Sequence, residues 1–287
     1  MRKRNLRSFL AYTALSFVML QSCKDDSNLT TKSPIADQSF TESFDNFGEA
    51  ISKGWRRFNT SNPTGRKWYD VAETPNFGSQ NYLVTYFPDW EQAQFTLDSL
   101  QFPGTVFPQR YWSNAFRSQR ATNGYAAASI ASGEVISFNG GSSPFNVSNW
   151  LVSPEVMMQN GDKIVFYAYS KGAARLQLWA NPTNSLNVGS GPNNTGDFQI
   201  NLLDINPTAT ESEVDPGNAF PTAWTRFEGE IRGLQQPVKG RFGFRYFLKD
   251  RAPIVRSTID ATDFDTLYTQ IHKTVLGLDE VSYQSIH

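Results

Sequence analysis

An antiparallel all-β sandwich is the fold class this sequence predicts, and three observations predict it. Short apolar runs recur along the chain, several with strict period-two alternation, and no helical spacing is sustained over several turns from residue 40 onward. Gly, Pro and Asn punctuate nearly every run, as strand-to-strand turns require. Aromatics reach 14% of the 287 residues while charged residues stay at 18%, a balance that suits half-buried strand faces.

The first residues stand apart from the fold. Arg2, Lys3, Arg4 and Arg7 form a basic start, residues 9–20 are apolar, and Gln21, Ser22 and Cys23 follow. This is the layout of an export signal, and the apolar part is short for a bilayer span. Leu20-Gln21-Ser22-Cys23 resembles a bacterial lipobox, whose cysteine is acylated and becomes the new N-terminus. Gln21 fits that motif loosely, and the alternative is an ordinary secretory signal with an incidental cysteine. Lys24-Asp25-Asp26 resembles the short signal that sends lipoproteins of Bacteroidetes-type bacteria to the outer face of the outer membrane. Residues 27–38 are polar and aperiodic, as a flexible tether is. The expectation is a signal peptide at 1–22, a tether at 23–39 and one domain at 40–287, held to the outer membrane by acyl chains such as palmitate on Cys23. Cys23 is the only cysteine, so no disulfide is expected to support the fold.

Within the domain, strands are predicted at 80–87, 124–130, 134–138, 163–169, 175–180, 198–203, 225–231, 240–248 and 274–283. Phe242, Phe244 and Tyr246 share one face of the 240–248 run, and Arg241, Gly243 and Arg245 share the other. Leu176 and Leu178 alternate in the same way. One wet face per sheet is therefore expected. "NWLVSPEVMMQNGDKIVFYAYS", residues 149–170, reads as two apolar strands of one antiparallel hairpin, with a turn at Asn160, Gly161 and Asp162. Long Asn-, Gly- and Pro-rich loops are expected at 181–197 and 206–221, and helical excursions at 88–99 and 262–268.

A series of motifs carries a family resemblance. "SFTESFDNF", "GW" at residues 54–55, "GRKWYD", "GYAAAS", "NWLVSPEV", "GDKIVFYAYS", "RLQLWANP", "AWTRFEGEI", "GRFGFRYFLKD" and "GLDEVSY" follow one another from residue 40 to 283. In that order they resemble the choice-of-anchor J domain and the related cleaved adhesin and MAM-like domains. The resemblance implies a jelly-roll sandwich of the galactose-binding-like kind. It also implies that an acidic residue on the first strand and one on the last meet beside a structural calcium ion. The matching positions are Glu42 and Asp279, with Asp45 as a third candidate; the alternative is solvated edge carboxylates or an arginine partner for Glu42.

Between residues 82 and 123 the chain departs from the family spacing with an aromatic-rich insertion, including "TYFPDW" and "QRYW". Tyr86, Trp90, Tyr111 and Trp112 are candidate ligand-binding residues, because flat aromatic rings pack on sugar C–H faces and on protein partners alike. The bland alternative is packing of the insertion on the sandwich. Trp55, Trp68, Trp150, Trp179 and Trp224 sit in or beside family motifs and read as core.

Catalytic signals are weak. There are two histidines, His272 and the terminal His287, and no Gly-x-Ser-x-Gly elbow, so no catalytic residue is assigned. A net charge of −1 supplies no field for nucleic acid. The expected function is a non-catalytic, surface-tethered binding or adhesion module for extracellular glycan. The alternatives are an accessory protein that binds a partner protein, and, more remotely, a sandwich hydrolase with two facing carboxylates.

Overall fold

The computed structural model describes residues 36–61, 91–93, 124–133, 136–137, 144–170, 172–211, 214–251, 254–255 and 275–286. The described residues belong almost wholly to one compact unit, Asp37–His287. Fourteen strands are described: β1 (Phe40–Glu42), β2 (Arg56–Asn59), β3 (Glu91–Ala93), β4 (Tyr125–Ala128), β5 (Ile136–Ser137), β6 (Phe145–Val152), β7 (Val156–Met158), β8 (Lys163–Ser170), β9 (Leu176–Asn181), β10 (Ile200–Ile205), β11 (Thr225–Glu230), β12 (Val238–Arg251), β13 (Ile254–Val255) and β14 (Leu276–Gln284). The first sheet runs β11-β8-β14-β4-β3 with β1 also on β14, and the second runs β10-β9-β12-β6-β2 with β7 on β12. Every pairing in both is antiparallel; β5 and β13 form a small parallel ladder beside them. This is the predicted all-β jelly-roll sandwich.

The two inner faces share one core. Phe242, Phe244 and Tyr246 of β12 and Leu176 and Leu178 of β9 pack in it against Phe166, Leu278 and Tyr283 of the opposing sheet. Phe242 lies parallel to Tyr283 at 6.0 Å and edge-on to Trp55 at 5.8 Å, so one ring joins the sheets. Gly229 of β11 is a close-approach position: a Cβ there would stand 2.6 Å from Leu178 Cδ2.

Three expectations need correcting. Residues 149–170 are not one hairpin: β6 belongs to the second sheet and β8 to the first. Pro154 has no N–H to extend the β6 ladder, so the chain leaves at Ser153, whose N–H donates to the Phe242 carbonyl. It then lays β7 along the start of β12 and crosses to the first sheet through the turn at Gly161, φ +96°.

The second correction is a short helix, α1 (Phe47–Ser52), which the spacing does not predict. It is too short for periodicity to reveal, but the Asn46 carboxamide caps the Glu49 N–H at 3.1 Å, and Phe47 and Ala50 are buried. The third concerns 88–99, expected as helix, where Glu91–Ala93 is an edge strand on β4. The strand expected at 80–87 and the helix at 262–268 lie outside the described residues.

Candidate functional site

Cross-strand register assembles the most distinctive polar feature among the described residues. On the outer face of the second sheet, Asp204 of β10 stands opposite Gln177 of β9, Gln177 opposite Arg245 of β12, Arg245 opposite Trp150 of β6, and Trp150 opposite Phe58 of β2. Alternation puts these five on the face opposite the Phe242, Phe244 and Tyr246 core stripe.

Hydrogen bonds join much of this row into a chain. Arg175, just ahead of β9, donates from Nε to Asp204 Oδ1 at 2.8 Å and from Nη2 to Oδ2, a bidentate pair. Gln177 donates from Nε2 to Asp204 Oδ2 at 2.9 Å, and its Oε1 accepts from Trp179 Nε1 at 3.2 Å. Arg245 donates from Nε to Ser148 Oγ at 2.9 Å and reaches Gln177 Oε1 from Nη1 at 3.5 Å. Its guanidinium lies 4.1 Å over the Phe247 ring and 5.2 Å from that of Trp150.

This face is not wet, contrary to the expectation for Arg245, which is only 3% exposed. The predicted long loop between β9 and β10, residues 182–199, folds back over the sheet as a strap. Val188 and Phe198 of the strap pack on Trp150 and Val152, with Phe58 and Trp179 at the margin. Arg245 Nη2 donates to the Pro192 carbonyl of the strap at 2.6 Å. Gly189 and Gly196 let the strap's two limbs meet: their φ angles are +77° and +57°, and a Cβ on Gly196 would lie 2.3 Å from the Asn187 carbonyl oxygen. Gly243 leaves room for Phe198, whose ring would touch a Cβ there at 3.0 Å.

Burial pushes the Arg245 guanidinium down to about 9, reinforced by the nearby Arg175 charge and only partly opposed by Asp204. Among the described residues Arg245 forms no ion pair, and the Trp150 indole N–H, fully buried, has no hydrogen-bond acceptor. A cation and a donor are thus buried side by side with incomplete compensation. Such an arrangement can hold an anion or the hydroxyls and carboxylate of a sugar.

The residues singled out from the sequence fall elsewhere. Glu42 ends β1 opposite Val281 of β14, is 6% exposed, and accepts from Phe44 N–H at 3.2 Å and from Lys53 Nζ at 3.4 Å. Asp45 accepts from Ser43 Oγ at 2.9 Å and from the Gly124 N–H at 3.0 Å, tying β1 to the start of β4. Asp279 lies on β14 itself, fully buried, and accepts from the Glu280 N–H at 2.8 Å; Glu280 takes φ +50° where the β14–β8 register shifts. The first and last strands are therefore neighbours. Yet among the described residues no three His, Cys, Asp or Glu side chains converge on a metal position. Calcium takes six to eight oxygens, so these carboxylates do not complete its shell by themselves. Cys23, Tyr86, Trp90, Tyr111, Trp112, Trp68 and both histidines lie outside the described residues. Trp55 and Trp150 are buried as expected; Trp179 and Trp224 are half-buried.

The outer face of the first sheet carries a second aromatic group. Tyr125 and Tyr169 share a hydrogen bond at 3.0 Å between their hydroxyls, and Trp224 packs edge-on against both. Burial raises both phenols, Tyr169 to about 12, and lifts Tyr125 well above its usual value, with the neighbouring Tyr169 and then the Asp279 charge adding to it.

No family model matches the sequence, and no curated protein matches it. Among solved structures, the K1 cleaved adhesin domain of Lys-gingipain from Porphyromonas gingivalis W83 aligns over 87% of this chain and 99% of its own, at 14% identity and TM-score 0.42. The K3 cleaved adhesin domain of the same protein aligns over 87% and 99%, at 16% identity and TM-score 0.39. A family 11 carbohydrate-binding module from Clostridium thermocellum, in complex with a β-1,3-1,4-mixed-linked tetrasaccharide, aligns over 57% and 77%, at 11% identity and TM-score 0.29. The fold assignment therefore stands on this chain's own strand order and register, and the function on its own site.

Proposed function

We propose that the chain is a non-catalytic binding module whose ligand is an extracellular glycan, bound on the outer face of the second sheet. The observation that carries this reading is Trp179. It is a half-buried indole at the margin of a polar row, its N–H held by Gln177, with the Arg175–Asp204 pair beyond. A flat ring suits the C–H face of a sugar, and adjacent amide, carboxylate and guanidinium groups suit its hydroxyls. In the same reading Cys23 carries the acyl anchor in the outer membrane and residues 23–39 hold the domain off the surface. Calcium enters the proposal as a structural ion near Glu42, Asp45 and Asp279, completed by carbonyl oxygens, and is tested by melting with and without chelator; an unchanged midpoint removes it.

The test of the glycan reading is an array probed with the full chain, with Trp179→Ala and with the Trp90→Ala, Trp112→Ala double variant beside it. Loss of signal in Trp179→Ala alone supports the sheet face. Loss only in the double variant moves the site to the insertion, and no glycan signal from any form rejects the reading in favour of a protein partner.

A further inference from the structure

We infer that Arg245 and Trp150 form a subsite for the carboxylate of an acidic sugar, a uronate unit within the bound glycan, and that the tip of the 182–199 strap covers it when no ligand is bound. This rests on the glycan reading above and sharpens its ligand class.

Four observations converge. Arg245 is a fully ionised guanidinium at neutral pH, 3% exposed, 4.1 Å from the Phe247 ring and 5.2 Å from that of Trp150, with no ion-pair partner among the described residues. Its Nη2 is satisfied by a neutral backbone oxygen, the Pro192 carbonyl, at 2.6 Å, and its Nη1 makes only a long contact at 3.5 Å. Both terminal nitrogens therefore face acceptors weaker than a carboxylate, which takes a guanidinium fork with two parallel bonds. The buried Trp150 N–H beside it has no acceptor, although a buried indole donor ordinarily finds one.

The neighbourhood favours a sugar acid over an acidic peptide. Trp179 is in the next row of the same face, across from Gly243, and the strap's Phe198 ring fills the space over that glycine. A pyranose ring on Trp179 therefore reaches Arg245 by displacing the strap, along the side where Gln177 links the indole N–H to the guanidinium. The charge balance agrees. Arg175 and Asp204 neutralise each other, so the row carries one uncompensated positive charge at Arg245. The strap is attached to this charge through one carbonyl–guanidinium bond at its tip, and residues 190, 193 and 194 around Pro192 are exposed. An incoming carboxylate exchanges that neutral acceptor for a charged one.

Calorimetry on the full chain decides it, with oligogalacturonate, a neutral galactan oligomer of the same length and a poly-glutamate peptide as probes. Wild type is compared with Arg245→Met and Trp150→Phe; the latter keeps a six-membered ring and loses the N–H with the five-membered half of the indole, so its melting midpoint is measured beside its affinity. The expected result is oligogalacturonate bound at least tenfold more tightly than neutral galactan. Affinity for oligogalacturonate should fall at least thirtyfold in Arg245→Met and three- to tenfold in Trp150→Phe, while binding of the neutral oligomer is unchanged. Equal binding of acidic and neutral oligomers, or unchanged oligogalacturonate affinity in both variants, overturns the subsite and leaves the glycan reading standing. Binding of poly-glutamate but neither sugar overturns both. Should Arg245→Met fail to fold, Trp150→Phe carries the same decision.

Discussion

Replacing Arg245 with methionine should make the protein more stable, by up to about 1 kcal/mol, because the opposing terms do not balance at that position. Depression of the guanidinium from 12.5 to about 9 corresponds to roughly 5 kcal/mol held against the charged form at neutral pH. Against that stand the two ring contacts, about 1–2 kcal/mol together, and the charged hydrogen bonds to Ser148 and Pro192, about 1.5 kcal/mol net each. Methionine fills a similar volume and keeps contact with both rings, as apolar replacements of buried charges often do at no cost. For a domain of this size the melting midpoint should rise by up to roughly 4 °C. Circular dichroism melts of wild type, Arg245→Met and Arg245→Lys at neutral pH measure it; the lysine variant keeps the charge, loses the fork and should melt lowest. A midpoint for Arg245→Met below wild type would refute the reasoning, since Arg245 would then be a strut that holds strap to sheet. A gain in stability with loss of acidic-sugar binding is the pattern of a residue kept for its ligand.

The tyrosines set the alkaline limit. Tyr169 is raised from 10 to about 12, and Tyr125 and Tyr283 are raised as well, so the unfolded chain releases these protons first. The stability they contribute is complete below pH 10 and is lost as pH climbs from 10 toward 12; for Tyr169 alone this is roughly 3 kcal/mol. Urea midpoints between pH 8 and 11.5 should fall accordingly, with a shallower fall in Tyr169→Phe, and a flat profile would contradict the burial. In the strap, Gly196→Ala should cost about 1–3 kcal/mol, because φ is +57° and the new methyl meets the Asn187 carbonyl at 2.3 Å. Hydrogen exchange should then speed up at Asp197, whose N–H donates to that same oxygen, while β8 and β14 stay protected.

Much of the scaffold was legible in the sequence because a period of two reports which side of a strand meets the core. Phe242, Phe244 and Tyr246 were placed together by alternation alone, and they do pack inward together. Alternation likewise put Arg245 on the opposite face. What it could not show was that this face is covered. Burial of Arg245 depends on a strap that begins after β9 and lies over β6 and β12, strands separated from it by long stretches of chain. Val188 and Phe198, two of the three large apolar residues in a loop otherwise rich in Asn, Gly, Pro and Thr, were the trace of it.

The hairpin expected at 149–170 failed for a related reason. Two adjacent apolar strands with a short link look the same whether they pair or split between sheets, and Pro154 only forbids the ladder from continuing; where the chain goes next is set by which edges remain open. Local alternation and composition suffice for the class of fold, the inward stripes and the chemistry available on each strand. That Asp204, Gln177, Arg245 and Trp150 form one row with a loop closed over it depends on register and loop packing, which are contacts between residues far apart in the chain.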